Sequence, residues 1–127
     1  MKSVSVVMFA FNEEQNIGPC MEEALAFLRS ANADFELIVV DDGSDDATAS
    51  RAESVAALDP EHVKVLSYKV NRGIGGALKT GFSAATKDWI TVLPADGQVP
   101  PDGIEQLFAV VRADPHVEVV TCHFPRR

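Results

Sequence analysis

The sequence predicts an α/β fold in which helices cover both faces of a parallel β-sheet. Three observations support this fold class. Strand-like and helix-like segments alternate along the whole 127-residue chain. Most of the strand-like segments are nearly continuous runs of Val, Ile and Leu, a pattern typical of strands buried on both faces. The connections between segments are short, which favours right-handed crossovers and a doubly wound sheet.

The first half of the chain contains two predicted strands and two predicted helices. Residues 3–9 (SVSVVMF) are rich in β-branched side chains and predict the first strand. Residues 13–31 place apolar side chains on one helical face, and the helix is either kinked at Pro19 or begins just before it. Residues 35–40 (FELIVV) predict the second strand, and the alanine-rich residues 45–58 predict the second helix.

The second half continues the alternation. Residues 62–68 alternate apolar and polar side chains and predict a third strand. Residues 73–86 follow a glycine-rich lead-in and predict a third helix. Residues 89–93 (WITVL) predict a fourth strand, and residues 102–113 predict an amphipathic fourth helix. Residues 117–121 (VEVVT) predict a fifth strand.

Composition and charge exclude several classes of protein. The length indicates one domain, and 46% apolar with 24% charged residues is ordinary for a globular protein. A net charge of −8 argues against nucleic acid as a partner, because phosphate contacts need a surplus of Lys and Arg. No apolar stretch approaches the about 18 residues of a membrane-spanning helix. Cys20 and Cys122 form no CxxC pair, so we expect reduced thiols in the core and a cytoplasmic location.

Polar segments follow four of the predicted strands. In an open parallel sheet, ligands bind beyond the carboxyl ends of the strands, where these segments would meet. A functional site is therefore expected at that edge of the sheet. The segments are residues 10–14, 41–46, 71–76 and 94–98.

The acidic pair in the second segment favours function over capping. Asn12, in the first segment, suits the start of a helix, and capping alone could explain it. Asp41 and Asp42 are adjacent carboxylates that end a buried strand, so they repel each other, and a helix cap needs only one. Strained acids of this kind cluster at binding and catalytic sites.

The glycine segment is open to two interpretations. Leu78 occupies the position of the third glycine of a dinucleotide-binding fingerprint and also that of the glycine before the P-loop lysine, so both motifs fail. Gly73, Gly75 and Gly76 then either allow tight packing of helix on sheet or leave helix N–H groups free to receive an anion.

Asp96, in the fourth segment, also has two interpretations. A single Asp in a loop is often a turn former. As a metal ligand it would hold a hard cation together with substrate phosphates and water. The histidines at positions 62, 116 and 123 have no spacing typical of a metal site.

Four segments together resemble the family 2 glycosyltransferases, and within them the dolichol-phosphate mannosyltransferase-like, polyprenyl-phosphate branch. The resemblance covers essentially the whole chain, and the segments stand in the family's order. It implies the Rossmann-like, nucleotide-binding half of a GT-A fold and inverting transfer of a sugar from a nucleotide-sugar donor. The segments are FAFNEE at 9–14, VVDDGSDDAT at 39–48, NRGIGGALKTG at 71–81 and LPADGQVPPD at 93–102.

The resemblance implies roles for residues at the nucleoside end of the donor. Ala10, Phe11 and Glu13 would line the nucleoside pocket, with Phe11 against the base or the ribose. Asp41 would accept a hydrogen bond from the base, and Asp42 would support the loop.

Further roles are implied at the diphosphate end. Arg72 and Lys79 would lie near the diphosphate or shape the loop that does. Ala95, Asp96 and Gln98 match the family's DxD-type segment, in which Asp96 would hold Mg²⁺ or Mn²⁺ on the diphosphate. The segment has Pro at position 94 in place of its first Asp, so one carboxylate faces the metal where the family pattern has two.

The resemblance also implies partners and an incomplete enzyme. Residues 1–127 would be the nucleotide-sugar-binding half of a longer domain, with the acceptor site and a carboxylate general base after Arg127. The expected acceptor is a dolichyl or undecaprenyl phosphate at the inner face of a membrane, which other parts of the protein would contact. The 127 residues alone would bind donor without transferring sugar, and an exposed sheet edge would favour self-association.

Two alternatives stand beside this hypothesis. One is a non-catalytic module that only binds a nucleotide. The other is a receiver-type signalling domain, which needs an acidic pair after the first strand, an Asp after the third and a Lys after the fifth. The sequence has FAFN, SYK and HFPRR at those places, so the receiver pattern fails at each of them.

Overall fold

The computed structural model describes residues 3–31, 33–97 and 99–120. They form a parallel four-stranded sheet in the order β3-β2-β1-β4, with a helix after each strand. The predicted α/β fold class is confirmed. The elements are β1 (Val4–Ala10), α1 (Ile17–Ser30), β2 (Phe35–Asp41), α2 (Thr48–Ala56), β3 (Val63–Ser67), α3 (Gly73–Ala84), β4 (Trp89–Pro94) and α4 (Gly103–Ala113).

The two central strands, β1 and β2, are covered on both faces. Val6 of β1 pairs with Leu37 of β2 on one side and with Thr91 of β4 on the other. Every residue of β2 is buried, and of β1 only Phe9 is not fully buried. This double burial explains why both segments read as unbroken apolar runs in the sequence.

The helices divide between the two faces of the sheet. Buried side chains of α1, α2 and α4 share one apolar cluster with alternate residues of the strands, among them Val6 and Leu37. The other face carries α3, whose Ala77 packs with Val7 and Ile38. A Cβ at Gly81 would lie 2.3 Å from Val7 Cγ1, so this glycine allows α3 its close approach to the sheet.

The alternative that α1 begins just before Pro19 is confirmed, and the predicted start of α2 is corrected. α1 begins at Ile17, so Pro19 lies in the first turn, where its missing N–H removes no helical hydrogen bond and causes no break. α2 begins at Thr48, not at residue 45. The segments before both helices are used instead in contacts between loops. None of the helices described here is long and apolar enough to cross a bilayer.

The predicted fifth strand is not formed by residues 117–120, which have no regular structure; residue 121 and Cys122 lie outside the described residues. A strand needs a neighbouring edge to pair with. Here a cavity of about 360 Å³, lined by Trp89, Phe108 and Val119, lies between β4, α4 and this segment. Because this cavity separates residues 117–120 from β4, they form no β-ladder with it, although their composition suits a strand.

A buried carboxylate ties the amino-terminal ends of the strands together. The side chain of Glu36 accepts hydrogen bonds from Ser5 Oγ (2.5 Å), from Thr86 N (2.6 Å) and Oγ1 (2.9 Å), and from Lys64 Nζ (3.2 Å). Only 4% of Glu36 is exposed. Burial raises its pKa, but the donors from Ser5, Thr86 and Lys64 outweigh burial and lower the pKa to about 2. The Glu36 carboxylate therefore links β1, β2, β3 and the segment before β4.

Glu36→Gln should lower the free energy of unfolding by about 1–3 kcal/mol, because the amide group turns one acceptor into a donor facing buried donors. Chemical denaturation at pH 7 measures the change. Glu22→Gln, at an exposed position on α1, is the matched control and should have almost no effect. Equal stability of the two variants would contradict the role given to Glu36.

Acid should weaken the fold through the same group. The folded-state pKa lies below the ordinary value of 4.5, so the stabilisation is fully present above that value and is lost as the pH falls toward 2. The loss attributable to Glu36 is on the order of 3 kcal/mol. Denaturation of wild type and Glu36→Gln at several pH values measures it, and the gap between their stabilities should shrink as the pH falls. A gap that stays constant would show that Glu36 does not titrate as described.

Candidate functional site

A cleft of about 300 Å³ lies where the carboxyl ends of β1, β2 and β4 meet the first turn of α3. All four polar segments predicted from the sequence contribute to it. Its floor is largely apolar, and several carboxylates stand on its walls. The lining residues are Phe9, Ala10, Phe11, Glu13, Asp42, Asn71, Gly73, Ile74, Ala77, Pro94, Ala95 and Asp96.

The structure brings most, but not all, of the predicted site residues together. Asp41, Arg72 and Lys79 do not line the cleft, and Gln98 lies outside the described residues. The predicted residues that do line the cleft are Ala10, Phe11, Glu13, Asp42, Ala95 and Asp96.

The two adjacent aspartates are separated by the alternation of side chains along a strand. Asp41, 2% exposed, accepts hydrogen bonds from the backbone N–H (3.3 Å) and the hydroxyl of Ser44. Asp42, 5% exposed, lines the cleft, and its Oδ1 accepts the N–H of Arg72 at 2.7 Å. Each carboxylate has its own donors, which offsets the repulsion expected between neighbours. The structure thus places Asp42, not Asp41, on the wall of the cleft.

A close approach of two loops holds Asp42 in place. Gly43 has φ +76°, and a Cβ there would lie 2.5 Å from Asn71 N, so only glycine fits without a shift of the backbone. Asn71 Nδ2 donates to the carbonyl of Asp42 at 3.1 Å. The end of β2 and the segment before α3 are therefore packed backbone to backbone.

The loop after β1 is fixed by side chains that precede and begin α2. Asn12 has a left-handed backbone (φ 52°); its N–H donates to Ser44 Oγ at 2.8 Å, and its Oδ1 accepts the N–H of Asp45 at 2.9 Å. The N–H of Glu13 donates to Thr48 Oγ1 at 2.9 Å. Asn12, which capping could explain in the sequence, therefore bridges two loops and presents Phe11, 45% exposed, at the cleft.

Neither of the two basic residues expected near a diphosphate lines the cleft. The Arg72 guanidinium carbon lies 4.0 Å from the centroid of the Tyr68 ring, a cation–π contact. Tyr68 OH donates to the carbonyl of Gly76 at 3.4 Å. Lys79 is exposed on α3. Arg72 thus packs against the segment before α3 instead of lining the cleft.

The turn that carries Asp96 is attached to β1 and α1. The N–H of Ala95 donates to Phe9 O at 3.1 Å, and Cys20 Sγ donates to Ala95 O at 3.4 Å. Burial raises the pKa of the Cys20 thiol, and the charges of Glu23 and Asp96 add to the effect. The thiol therefore stays protonated at neutral pH and keeps its hydrogen for this bond.

The carboxylates that line the cleft suit a metal ion that takes most of its ligands from a bound phosphate compound and water, and few from the protein. The described residues hold no group of three or more His, Cys, Asp or Glu side chains placed to bind an ion. Mg²⁺ in nucleotide sites usually takes one or two carboxylates and completes its shell with phosphates and water. Asp96, a carboxylate on the cleft wall, suits that role.

Sequence reasoning gave no role to Asn71 or Ile74, which also line the cleft. Both stand in the glycine segment, where the sequence suggests roles for the glycines and for the basic residues Arg72 and Lys79. The signal for Ile74 was present: it is an isolated apolar residue among glycines at a helix start.

Comparison of sequences finds transferases of one kind. Undecaprenyl-phosphate 4-deoxy-4-formamido-L-arabinose transferase from Proteus mirabilis is 35% identical over 109 residues, 86% of this chain and 33% of the relative. The protein of the same name from Pectobacterium atrosepticum is 39% identical over 108 residues, 84% of this chain and 33% of the relative. The chain spans about a third of the length of these curated relatives.

Comparison of structures agrees with the fold. A mannosyltransferase from Pyrobaculum calidifontis, solved in complex with GDP-Man and Mn²⁺, superposes with a TM-score of 0.76 at 26% identity, covering 91% of this chain and 34% of that one. The predicted Rossmann-like part of a GT-A fold is thereby confirmed. The family model described as glycosyl transferase family 2 matches residues 5–126. The chain belongs to glycosyl transferase family 2.

Proposed function

We propose that this chain supplies the nucleotide-sugar site of a glycosyltransferase. The observation that carries the proposal is the cleft itself. It joins an exposed aromatic ring, Phe11, and two carboxylates, Asp42 and Asp96, around an apolar floor at the carboxyl edge of the sheet. Clefts at this edge are the usual ligand sites of open α/β sheets.

The nucleoside would lie near Phe11 and Asp42. The exposed Phe11 ring offers a face for a base or ribose to pack on. Asp42 Oδ1 already accepts the Arg72 N–H, whereas Oδ2 accepts no hydrogen bond from a described residue of the chain. Such an oxygen suits a base that presents an N–H group at its edge. In this proposal Asp42 takes the role that the family resemblance implied for Asp41.

The diphosphate would lie toward Asp96. None of the described residues that line the cleft is basic, so a diphosphate needs another source of positive charge. Mg²⁺ or Mn²⁺ held by Asp96 would supply it and would stabilise the leaving nucleoside diphosphate as a Lewis acid. Because position 94 is Pro, Asp96 would be the one carboxylate of its segment that holds the metal. The metal would then depend on the diphosphate for further ligands, so metal and nucleotide should bind interdependently.

A polyprenyl phosphate is the acceptor that we propose. The named relatives are undecaprenyl-phosphate transferases. In the reaction, the bond between the anomeric carbon and the diphosphate breaks, its electron pair leaves with the nucleoside diphosphate, and an acceptor phosphate oxygen bonds from the opposite face. A phosphate monoester is mostly doubly ionised at neutral pH, because its second pKa is about 6. Such an oxygen attacks without a general base, so this proposal dispenses with the carboxylate base that the family resemblance implied after Arg127, which a hydroxyl acceptor would require.

The acceptor site and the membrane contact are proposed to lie outside these residues, since the matched region is 33% of each relative. A polyprenyl chain resides in a bilayer. The described domain would then work in the cytoplasm, at the inner face of the membrane, presenting the donor to a lipid held by another part of the protein.

The 127-residue chain should bind UDP or GDP, and the corresponding nucleotide sugars, in the presence of Mn²⁺. Asp42→Asn should weaken binding about tenfold, because it exchanges a charged acceptor for an amide that still accepts the Arg72 N–H. Titration calorimetry measures both. Asp45→Asn, exposed in the same loop, is the control and should bind like wild type. Failure of wild type to bind any of these nucleotides would refute the proposed donor site.

Asp96→Asn should reduce the effect of Mn²⁺ on nucleotide binding about tenfold or more, because a neutral amide is a poor ligand for a hard cation. The measurement is the dissociation constant of the diphosphate as a function of Mn²⁺ concentration. Asp88→Asn removes the same charge just before β4, at its other end, and should leave the Mn²⁺ response unchanged. An identical Mn²⁺ response in the Asp96 variant and wild type would exclude Asp96 as the ligand.

A further inference from the structure

We propose that Ile74 is a nucleoside-binding residue, which together with Phe11 holds the base of the bound nucleotide between two apolar side chains. The inference rests on the proposed function and adds to it a residue and a mode of recognition. Ile74 comes from α3 and Phe11 from the loop after β1, and both line the cleft.

Ile74 contributes little to the packing of α3 on the sheet. α3 packs on the sheet through Ala77 and Gly81, whereas Ile74 is 59% exposed. Most of its apolar surface is therefore not buried within the chain and adds little to the stability of the fold. An isolated apolar side chain that packs little on its own protein, yet lines a cleft, is placed for contact with a ligand.

The first turn of α3 leaves open space beside Ile74. Residues 73–76 contain three glycines, so Ile74 is the only side chain on the first turn of α3. Gly73 has φ +81°, and a Cβ at Gly76 would lie 2.8 Å from Arg72 Cβ, so the folded chain accounts for both glycines. Gly75 has neither a positive φ nor any atom within 4 Å of an added Cβ. Glycine costs helix stability relative to alanine, so the open space beside Gly75 points to a ligand that approaches this turn.

The chemistry of the cleft indicates which part of a nucleotide belongs there. Phe9 and Ala77 add apolar surface to that of Ile74 and Phe11, and Asp42 stands at the edge of the same cleft. A planar heteroaromatic ring has two apolar faces and a polar edge. The base therefore matches this lining, whereas a sugar or a diphosphate would place polar groups against Ile74.

Ile74→Ala tests the contact on the 127-residue chain. Removing three carbons from a partly buried contact should weaken UDP or GDP binding about tenfold, while Ile74→Val should lose only about threefold. Leu58→Ala is the matched control, because Leu58 is 82% exposed and does not line the cleft. Gly75→Ala should weaken binding while the melting temperature stays equal to or above that of wild type.

The Mn²⁺ dependence separates base contact from a change at the diphosphate. If Ile74 touches the base, the affinity falls by the same factor with and without Mn²⁺, so the ratio of the two dissociation constants stays as in wild type. A change in that ratio, or equal affinities for Ile74→Ala, Leu58→Ala and wild type, would overturn the inference and leave the donor site standing. Absence of nucleotide binding by wild type would overturn the proposed function, and this inference with it.

Discussion

The parallel pairing of β1 with both β2 and β4 is the constraint on which the rest of the structure depends. Ala10 of β1 lies opposite Asp41, and Phe9 lies opposite Pro94, so three strands end side by side at one edge. Segments that are far apart in sequence must then meet there. β3 is one strand further away, and it reaches the cleft through the segment that leads into α3.

The strand order places the acidic residues in different parts of the fold, so the net charge of the chain does not determine the local charge at the cleft. Glu36 is enclosed by donors near the amino-terminal ends of the strands, and Asp41 accepts hydrogen bonds from Ser44 and does not line the cleft. Asp42 and Asp96 remain on the cleft walls. A net charge of −8 therefore does not oppose a phosphate ligand as such. The local question is which positive groups can reach the cleft.

Local sequence patterns predicted β1 and β2 because burial on both faces leaves a continuous apolar run. They also predicted that the polar segments meet at one edge, because the carboxyl ends of parallel strands lie side by side. Residues 117–120 could not be judged in this way, since pairing depends on a neighbouring edge that composition does not reveal. The choice between Asp41 and Asp42 depended on which face of the sheet carries the cleft. The contact of Arg72 with Tyr68 depended on the path of the chain between them.

A diphosphate in this cleft could draw positive charge from helix amides, from basic side chains or from a cation. The amides of the β1–α1 loop are engaged, because the N–H groups of Asn12 and Glu13 donate to Ser44 and Thr48. The guanidinium of Arg72 packs on Tyr68, and no described residue lining the cleft is basic. The contacts that hold the loops together thus engage these amides and Arg72, which leaves the first turn of α3 and a cation as sources of positive charge at the cleft. In the proposed function, a divalent cation shared between Asp96 and the diphosphate would add to the charge of that turn, and the affinity of each would depend on the other.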